Sequence, residues 1–290
     1  MSGKKDTGSI MLDKRISDSV LNDYYSAGIK AEVVLDTMMT PVIADLLKEQ
    51  ISFSGEPVYI TKEFPLKTSA EDHRNRKADY VLMDNASIYL VELKTSMGSI
   101  DKEQLDAYGE KLEKYDGKKL LYEFTELLKS IYGITDEENS DLVSVTDRIV
   151  KSLTDSRTGF SDWVSSLSKS DPQEEQRKRT EQYIRTLMKE NNIKSSKKYL
   201  LQAAQIVNNS NPSDWGLNER SKEIKLIYMM PHKSRSKILE NFMVGREAQV
   251  QYFYFDKISS GSKRDNAGEM LYIDWLKEKI LIPLFFGLTL

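Results

Sequence analysis

The stretch that decides the fold is KADYVLMDNASIYLVELK, residues 77–94. Two mainly apolar runs, 77–84 and 86–95, meet at Asp84 and Asn85. Asp and Asn favour turns because their short side chains bond to nearby backbone groups. The sequence therefore predicts a β-hairpin in which these two strands pair directly with each other.

Two charged residues stand near the end of the second run. Side chains alternate between the faces of a strand, so Glu92 and Lys94 are expected on the same face as Ile88 and Leu90. Pairing through the turn makes Asp79 a cross-strand neighbour of Glu92. Two carboxylates that close raise each other's pKa unless a cation lies between them. The pattern favours a divalent metal, and the competing interpretation is a salt bridge between Glu92 and Lys94 without chemistry.

The rest of the chain predicts an α/β fold with a mixed central β-sheet flanked by helices. A helical pattern from Ser17 to Gln50 is expected to break at Thr40-Pro41. Further strands and helices follow from period-2 and period-3.6 patterns. The strands are predicted at 57–66, 223–231 and 248–258, and the helices at 100–132, 173–208 and 266–279.

The predicted organisation is a single domain that carries an insertion. Residues 1–15 are polar and are expected to form a flexible tail. Residues 16–134 and 211–290 are expected to form the two parts of the core. The stretch between them, 135–210, begins acidic and serine-rich and is predicted to be a helical insertion.

Composition excludes several classes of site. The chain has 290 residues with no cysteine and two histidines, which excludes disulfides, zinc–thiolate sites and three-histidine metal sites. A metal would need oxygen ligands, which favours Mg²⁺ or Mn²⁺. The net charge is −3, so attraction of nucleic acid would have to be local. Because the apolar C-terminal run is too short to span a bilayer, we expect a cytoplasmic protein without a membrane partner.

The pattern resembles the signature of the PD-(D/E)XK nuclease superfamily, whose fold is restriction-endonuclease-like. That signature is an Asp in one strand followed by Glu-x-Lys in the next, here Asp79 and then Glu92-Leu93-Lys94. Alanine replaces the proline that precedes the Asp in the signature. Downstream, QLDAY puts Gln104 and Tyr108 one helical turn apart, which resembles the QxxxY element of the RecB-like and lambda-exonuclease-like branch.

The resemblance implies a Mg²⁺- or Mn²⁺-dependent enzyme that hydrolyses phosphodiester bonds in nucleic acid, DNA ahead of RNA. Asp79, Glu92 and the Leu93 carbonyl would hold the metal, and Lys94 would orient the attacking water and stabilise charge on the phosphate. Gln104 and Tyr108 would steady the scissile strand or the metal ligands. Members often carry an upstream Glu that reaches the metal through water or binds a second ion.

Glu32, on the apolar side of the predicted first helix, fits that upstream role as a metal ligand, and Glu63 in the first strand competes for it. Two alternatives to catalysis also stay open. One is a module on the same scaffold that binds nucleic acid or protein without cutting. The other is an unrelated structural α/β protein, in which Glu92 and Lys94 pair with each other far from Asp79.

Overall fold

The structure is a computed structural model. It describes the chain at positions 36, 38–66, 76–94, 100–135, 141–154, 197–216, 221–232, 237–258, 276 and 281. Some of the predictions lie outside these residues. They are Glu32, the tail at 1–15, most of the first helix before residue 36, most of the helix at 173–208 and all of the helix at 266–279 except Leu276.

The described strands form a five-stranded sheet in the order β1-β2-β3-β4-β5. The strands are β1 Val58–Pro65, β2 Lys77–Met83, β3 Ser87–Leu93, β4 Glu223–Met230 and β5 Val250–Tyr254. β2 and β3 pair antiparallel, whereas β4 and β5 pair parallel. The predicted mixed sheet and its hairpin are therefore confirmed. β5 ends earlier than predicted because a 3₁₀ turn begins at Phe255.

Helices make up most of the remaining described residues. They are α1 Ile43–Leu47, α2 Lys102–Lys114, α3 Gly117–Tyr132, α4 Leu142–Thr154, α5 Lys197–Asn209 and α6 Lys237–Met243. The predicted break at Thr40-Pro41 is present as a 3₁₀ turn, Thr40–Val42, directly before α1. Within the part of the chain that the structure describes, no helix is both long and apolar enough to cross a membrane.

The prediction of one long helix over 100–132 was wrong, because two helices occupy this stretch. Asp116 has extended backbone angles and its carboxylate accepts a hydrogen bond from the Lys119 backbone amide. This side-chain cap starts a new helix and ends the preceding one. The predicted end near Gly133 is confirmed, since Gly133 has a φ of 65°, a left-handed conformation that glycine adopts without steric cost.

The main apolar cluster lies on one face of the sheet. Alternate residues of β2, β3 and β4 point into it, including Tyr80, Val91 and Met229, and they pack against Ile43 and Leu46 of α1. Each fully buried side chain of this size contributes about 2 kcal/mol relative to an exposed one. Because side chains alternate, the residues between these positions belong to the opposite face of the sheet.

The chain divides into two compact units. The sheet unit comprises the described residues of Met1–Tyr59, Ala78–Glu113 and Ile224–Leu290. The helical unit comprises the described residues of Ile60–Lys77 and Lys114–Glu223. Within the helical unit, α4 packs against both α3 and α5. The boundaries proposed above for a core and an insertion stay a prediction.

The turn between β2 and β3 is built around one buried carboxylate. Asp84 accepts hydrogen bonds at Oδ1 from the backbone amides of Ala86, at 2.8 Å, and Ser87, at 2.7 Å. Its Oδ2 accepts from the Ser54 amide at 2.6 Å and from the Tyr89 hydroxyl at 2.7 Å. These hydrogen bonds hold the pKa of Asp84 below its ordinary value even though burial alone would raise it. The charged carboxylate therefore fixes where the hairpin turns.

We expect Asp84→Ala to lower the free energy of unfolding by roughly 2–4 kcal/mol, because it leaves several buried hydrogen-bond donors without an acceptor. Urea unfolding followed by circular dichroism measures this loss. Asp45→Ala is the matched control, since Asp45 is an exposed aspartate that pairs with Lys48 on α1. Such surface pairs contribute less than about 1 kcal/mol. Equal losses in the two variants would contradict the role given to Asp84.

Candidate functional site

The register of the hairpin brings Asp79 opposite Glu92. Met83 faces Ile88 and Tyr80 faces Val91, so the next position of this antiparallel register pairs Asp79 with Glu92. The Leu93 backbone amide donates a hydrogen bond to Asp79 Oδ2 at 2.6 Å. Facing residues of an antiparallel pair share one face of the sheet. The two carboxylates therefore lie together on the face opposite the main apolar cluster.

A buried ion pair stands beside Asp79. Glu92 is 3% exposed and Lys94 is 8% exposed. The Lys94 ammonium lies 2.6 Å from Glu92 Oε1. Glu92 lies in β3, and Lys94 follows the last residue of that strand. Because side chains alternate along the strand, two residues that are two positions apart point to the same face. The salt bridge of the competing interpretation is therefore present. The alternative of an unrelated structural protein expected this pair to lie far from Asp79, whereas the register brings Asp79 to the position facing Glu92.

Helix α2 supplies two further contacts to this ion pair. Lys94 Nζ donates a hydrogen bond to Gln104 Oε1 at 3.0 Å. The Tyr108 hydroxyl donates to Glu92 Oε2 at 2.6 Å. The spacing of four residues brings both side chains to one side of α2. Gln104 and Tyr108 therefore fix the orientations of Lys94 and Glu92.

Burial sets the electrostatics of the two carboxyl groups. Burial and then the charge of Glu92 raise the pKa of Asp79 to about 8, against the Leu93 amide and the Lys94 ammonium, which lower it. Burial also raises the pKa of Glu92, and the Lys94 ammonium is the largest opposing influence. If both carboxyl groups were ionised, their combined negative charge would exceed what the single Lys94 ammonium can neutralise.

The predicted site residues fall into two groups. Asp79, Glu92, Lys94, Gln104 and Tyr108 come together in the sheet unit through the contacts just described. The Leu93 amide contacts Asp79, while the role of its carbonyl as a metal ligand stays a prediction.

The upstream acidic residue is not identified by the structure. Glu32 lies outside the described residues, so its place on a helix beside the site stays a prediction. Glu63 belongs to the helical unit and its carboxylate lies 3.4 Å from Lys77 Nζ. Its backbone φ is +51°, an unusual angle for a residue other than glycine. Its role in the site also stays a prediction.

Two residues near the site were missed by sequence reasoning. The charge of Asp36 contributes to the raised pKa of Asp79, and the Asp36 carbonyl accepts a hydrogen bond from Tyr80 at 3.5 Å. Asp36 follows Glu32 by four residues, so a helical count could have found it. The other is Tyr228 of β4, whose ring meets that of Tyr108 edge to face. No motif marks Tyr228, because an apolar strand commonly contains tyrosine.

The donor chemistry of the site fits a hard divalent ion. Among the described residues no group of three or more acidic or histidine side chains gathers, so the carboxylates of Asp79 and Glu92 are the side-chain ligands on offer. Mg²⁺ is commonly held by one or two carboxylates together with water and substrate phosphates. A divalent ion would also neutralise the charge that raises the pKa of Asp79. Oxygen ligands of this kind suit Mg²⁺ and Mn²⁺.

The raised pKa of Asp79 predicts that the free energy of unfolding depends on pH in metal-free buffer. Its pKa is about 8 in the folded chain and about 4 when unfolded. The folded state therefore binds an extra proton between these values, and stability falls as pH rises through this range. We expect Asp79→Asn, which keeps an acceptor for the Leu93 amide, to remove roughly 1–3 kcal/mol of this loss. Denaturant unfolding at pH 5 and pH 9 measures it, and identical pH slopes in both proteins would contradict it.

The buried ion pair predicts a non-additive pair of substitutions. Lys94→Met leaves the Glu92 charge buried and uncompensated, which we expect to cost about 3–5 kcal/mol of unfolding free energy. Adding Glu92→Gln removes that charge and keeps an acceptor for Tyr108, so the double variant should recover most of the loss. Urea unfolding of the four proteins in EDTA completes the cycle. Additive losses would indicate that the two charges do not neutralise each other.

Comparisons with known proteins assign no family to this geometry. No protein-family model, no curated protein and no solved structure matches the chain. The fold class therefore rests on the observed sheet and helices. Any statement about activity rests on the residues around Asp79 and Glu92.

Proposed function

We propose that this chain is a metal-dependent nuclease that hydrolyses phosphodiester bonds in nucleic acid, with DNA as the first substrate to test. The observation that carries the proposal is Asp79 facing Glu92 across the hairpin, with Lys94 bonded to Glu92 on the same face of the sheet. Two carboxylates and an ammonium beside one another suit phosphate chemistry, because phosphate transfer needs cations and positioned oxygen atoms. The resemblance to the PD-(D/E)XK signature supports the same conclusion.

In this proposal Asp79 and Glu92 hold a Mg²⁺ or Mn²⁺ ion. The ion, when bound, lowers the pKa of water and neutralises phosphate charge. Hydrolysis forms a bond from the water oxygen to phosphorus and breaks the bond to a sugar oxygen. The water loses a proton and the leaving sugar oxygen gains one.

Lys94 has two roles that follow from its contacts. In the metal-free protein it neutralises Glu92 and is oriented by Gln104. With an ion on Glu92, the ammonium is available to stabilise charge that develops on the phosphate oxygens. Tyr108 continues to hold Glu92 Oε2 and so limits the orientations of that carboxylate.

A second candidate is a module on the same scaffold that binds nucleic acid or protein without cutting. The bonding of Glu92 favours it, since Lys94 and Tyr108 already satisfy both carboxylate oxygens. The buried charge of Glu92 is thus compensated from within the chain, without an ion. Metal titration separates the two candidates, because only a nuclease site requires Mn²⁺ to bind at Asp79.

The test is cleavage of supercoiled plasmid and of single-stranded DNA and RNA in Mg²⁺, Mn²⁺ or EDTA. We expect cleavage with either metal and none with EDTA. Lys94→Ala should reduce the rate by about 10²–10³-fold, as expected when a group that stabilises transition-state charge is removed. Lys257→Ala is the matched control, since Lys257 is an exposed lysine beside β5. Circular dichroism confirms that each variant is folded.

Asp79→Asn is the second variant, because it keeps the acceptor for the Leu93 amide while removing the charge. Isothermal titration with Mn²⁺ should give a binding heat in the wild-type chain that this variant loses. Cleavage that is unchanged in Lys94→Ala would rule out the proposed site. A folded wild-type chain with neither Mn²⁺ heat nor cleavage would favour the non-cutting module.

A further inference from the structure

Tyr228 lies in β4, two residues before its end, and is completely buried, with 0% of its surface exposed. Its neighbours Ile227 and Met229 point into the main apolar cluster on the other face of the sheet. Tyr228 therefore points to the face that carries Asp79 and Glu92. Its ring centroid is 6.3 Å from that of Tyr108, at an interplanar angle of 71°.

The Tyr228 hydroxyl has no hydrogen-bond partner among the described protein groups. A buried hydroxyl without a partner costs free energy, and buried hydroxyl groups normally find a protein or water partner. Glu92 accepts from Lys94 at one oxygen and from Tyr108 at the other, and the Tyr228 hydroxyl makes no hydrogen bond to either oxygen. The hydroxyl is thus a donor beside the site for which the described protein supplies no acceptor.

The ring contact with Tyr108 and the shared sheet face bring Tyr228 close to the two carboxylates. Burial raises the pKa of Tyr228, and the charges of Glu92 and Asp79 raise it further. The hydroxyl consequently keeps its proton and can act only as a donor toward the two carboxylates or toward a molecule held between them. Because Tyr228 is completely buried, a partner for its hydroxyl would have to be as small as a water molecule, and a nucleic-acid phosphate is excluded.

We propose that Tyr228 is a positioning residue of the site, whose hydroxyl donates a hydrogen bond to a buried water molecule held by Asp79 and Glu92. This proposal rests on the proposed function, in which that water lies beside the divalent ion. A fixed donor at this point would orient the lone pairs of the water and keep its position constant from one turnover to the next. Tyr108, in contrast, uses its hydroxyl to hold Glu92 itself.

Tyr228→Phe tests the proposal because it removes one oxygen atom and keeps the aromatic contact with Tyr108. The matched control is Tyr254→Phe, a partly buried tyrosine of β5 whose ring stacks on Tyr252. Calorimetric titration with Mn²⁺ should give a Kd about five- to tenfold weaker for Tyr228→Phe, the loss expected for one hydrogen bond. Tyr254→Phe should stay within about twofold of the wild-type value.

Cleavage kinetics at saturating Mn²⁺ give a second measurement. We expect Tyr228→Phe to lower kcat about tenfold with KM for DNA unchanged, since the water and not the DNA loses its partner. A role in packing alone would leave both the Mn²⁺ affinity and kcat unchanged, because phenylalanine retains the ring. That result would overturn the proposal.

Thermal unfolding in EDTA separates this proposal from the proposed function. A hydroxyl bonded to a buried water makes Tyr228→Phe melt below the wild-type chain, whereas a hydroxyl without any partner makes it melt above. A higher Tm would overturn the role of Tyr228 even in a protein that cuts DNA. Absence of Mn²⁺ binding in the wild-type chain would instead overturn the proposed function. In that case a high-resolution crystal structure would test the role of Tyr228, since the proposal requires a water molecule at its hydroxyl and the absence of one would overturn it.

Discussion

The register of the β2–β3 hairpin is the constraint on which the site depends. Side chains alternate along a strand, so a slip of one residue would send Asp79 and Glu92 to opposite faces of the sheet. Asp84 prevents such a slip, because its carboxylate bonds the amides of the turn and the hydroxyl of Tyr89 within β3. One buried acidic residue, which takes no part in the candidate site, therefore determines where the acidic residues of the site meet.

The candidate site and the hydrophobic core lie on opposite faces of the same strands. Val91 and Met229 pack into the apolar cluster. Their neighbours in the sequence, Glu92 and Tyr228, face the other side of the sheet. A rigid strand limits how far Glu92 can move when its partner changes. Exchanging Lys94 for a divalent ion on Glu92 would thus require rearrangement of the long lysine side chain, with little movement of the carboxylate.

Much of this arrangement can be predicted from the sequence because it depends on local periodicity. The turn at Asp84, the facing carboxylates and the helical spacing of Gln104 and Tyr108 all follow from alternation and helical repeat. The break at Asp116 was missed because capping there depends on a backbone angle as well as on residue type. Tyr228 was missed because its relevance comes from β4 lying beside β3, a tertiary neighbour that no local pattern encodes.

The hydrogen bond from the Leu93 amide to Asp79 has a consequence for how related sequences should be interpreted. The Leu93 amide donates its hydrogen bond to the Asp79 carboxylate. The next amide, that of Lys94, donates to the Met229 carbonyl on β4. An acceptor at position 79 consequently contributes to stability, whatever its part in any chemistry. Lys94 is under a similar constraint, because its removal leaves the Glu92 charge buried and uncompensated. Retention of either residue in a related sequence would therefore reflect stability and is not by itself a sign of activity.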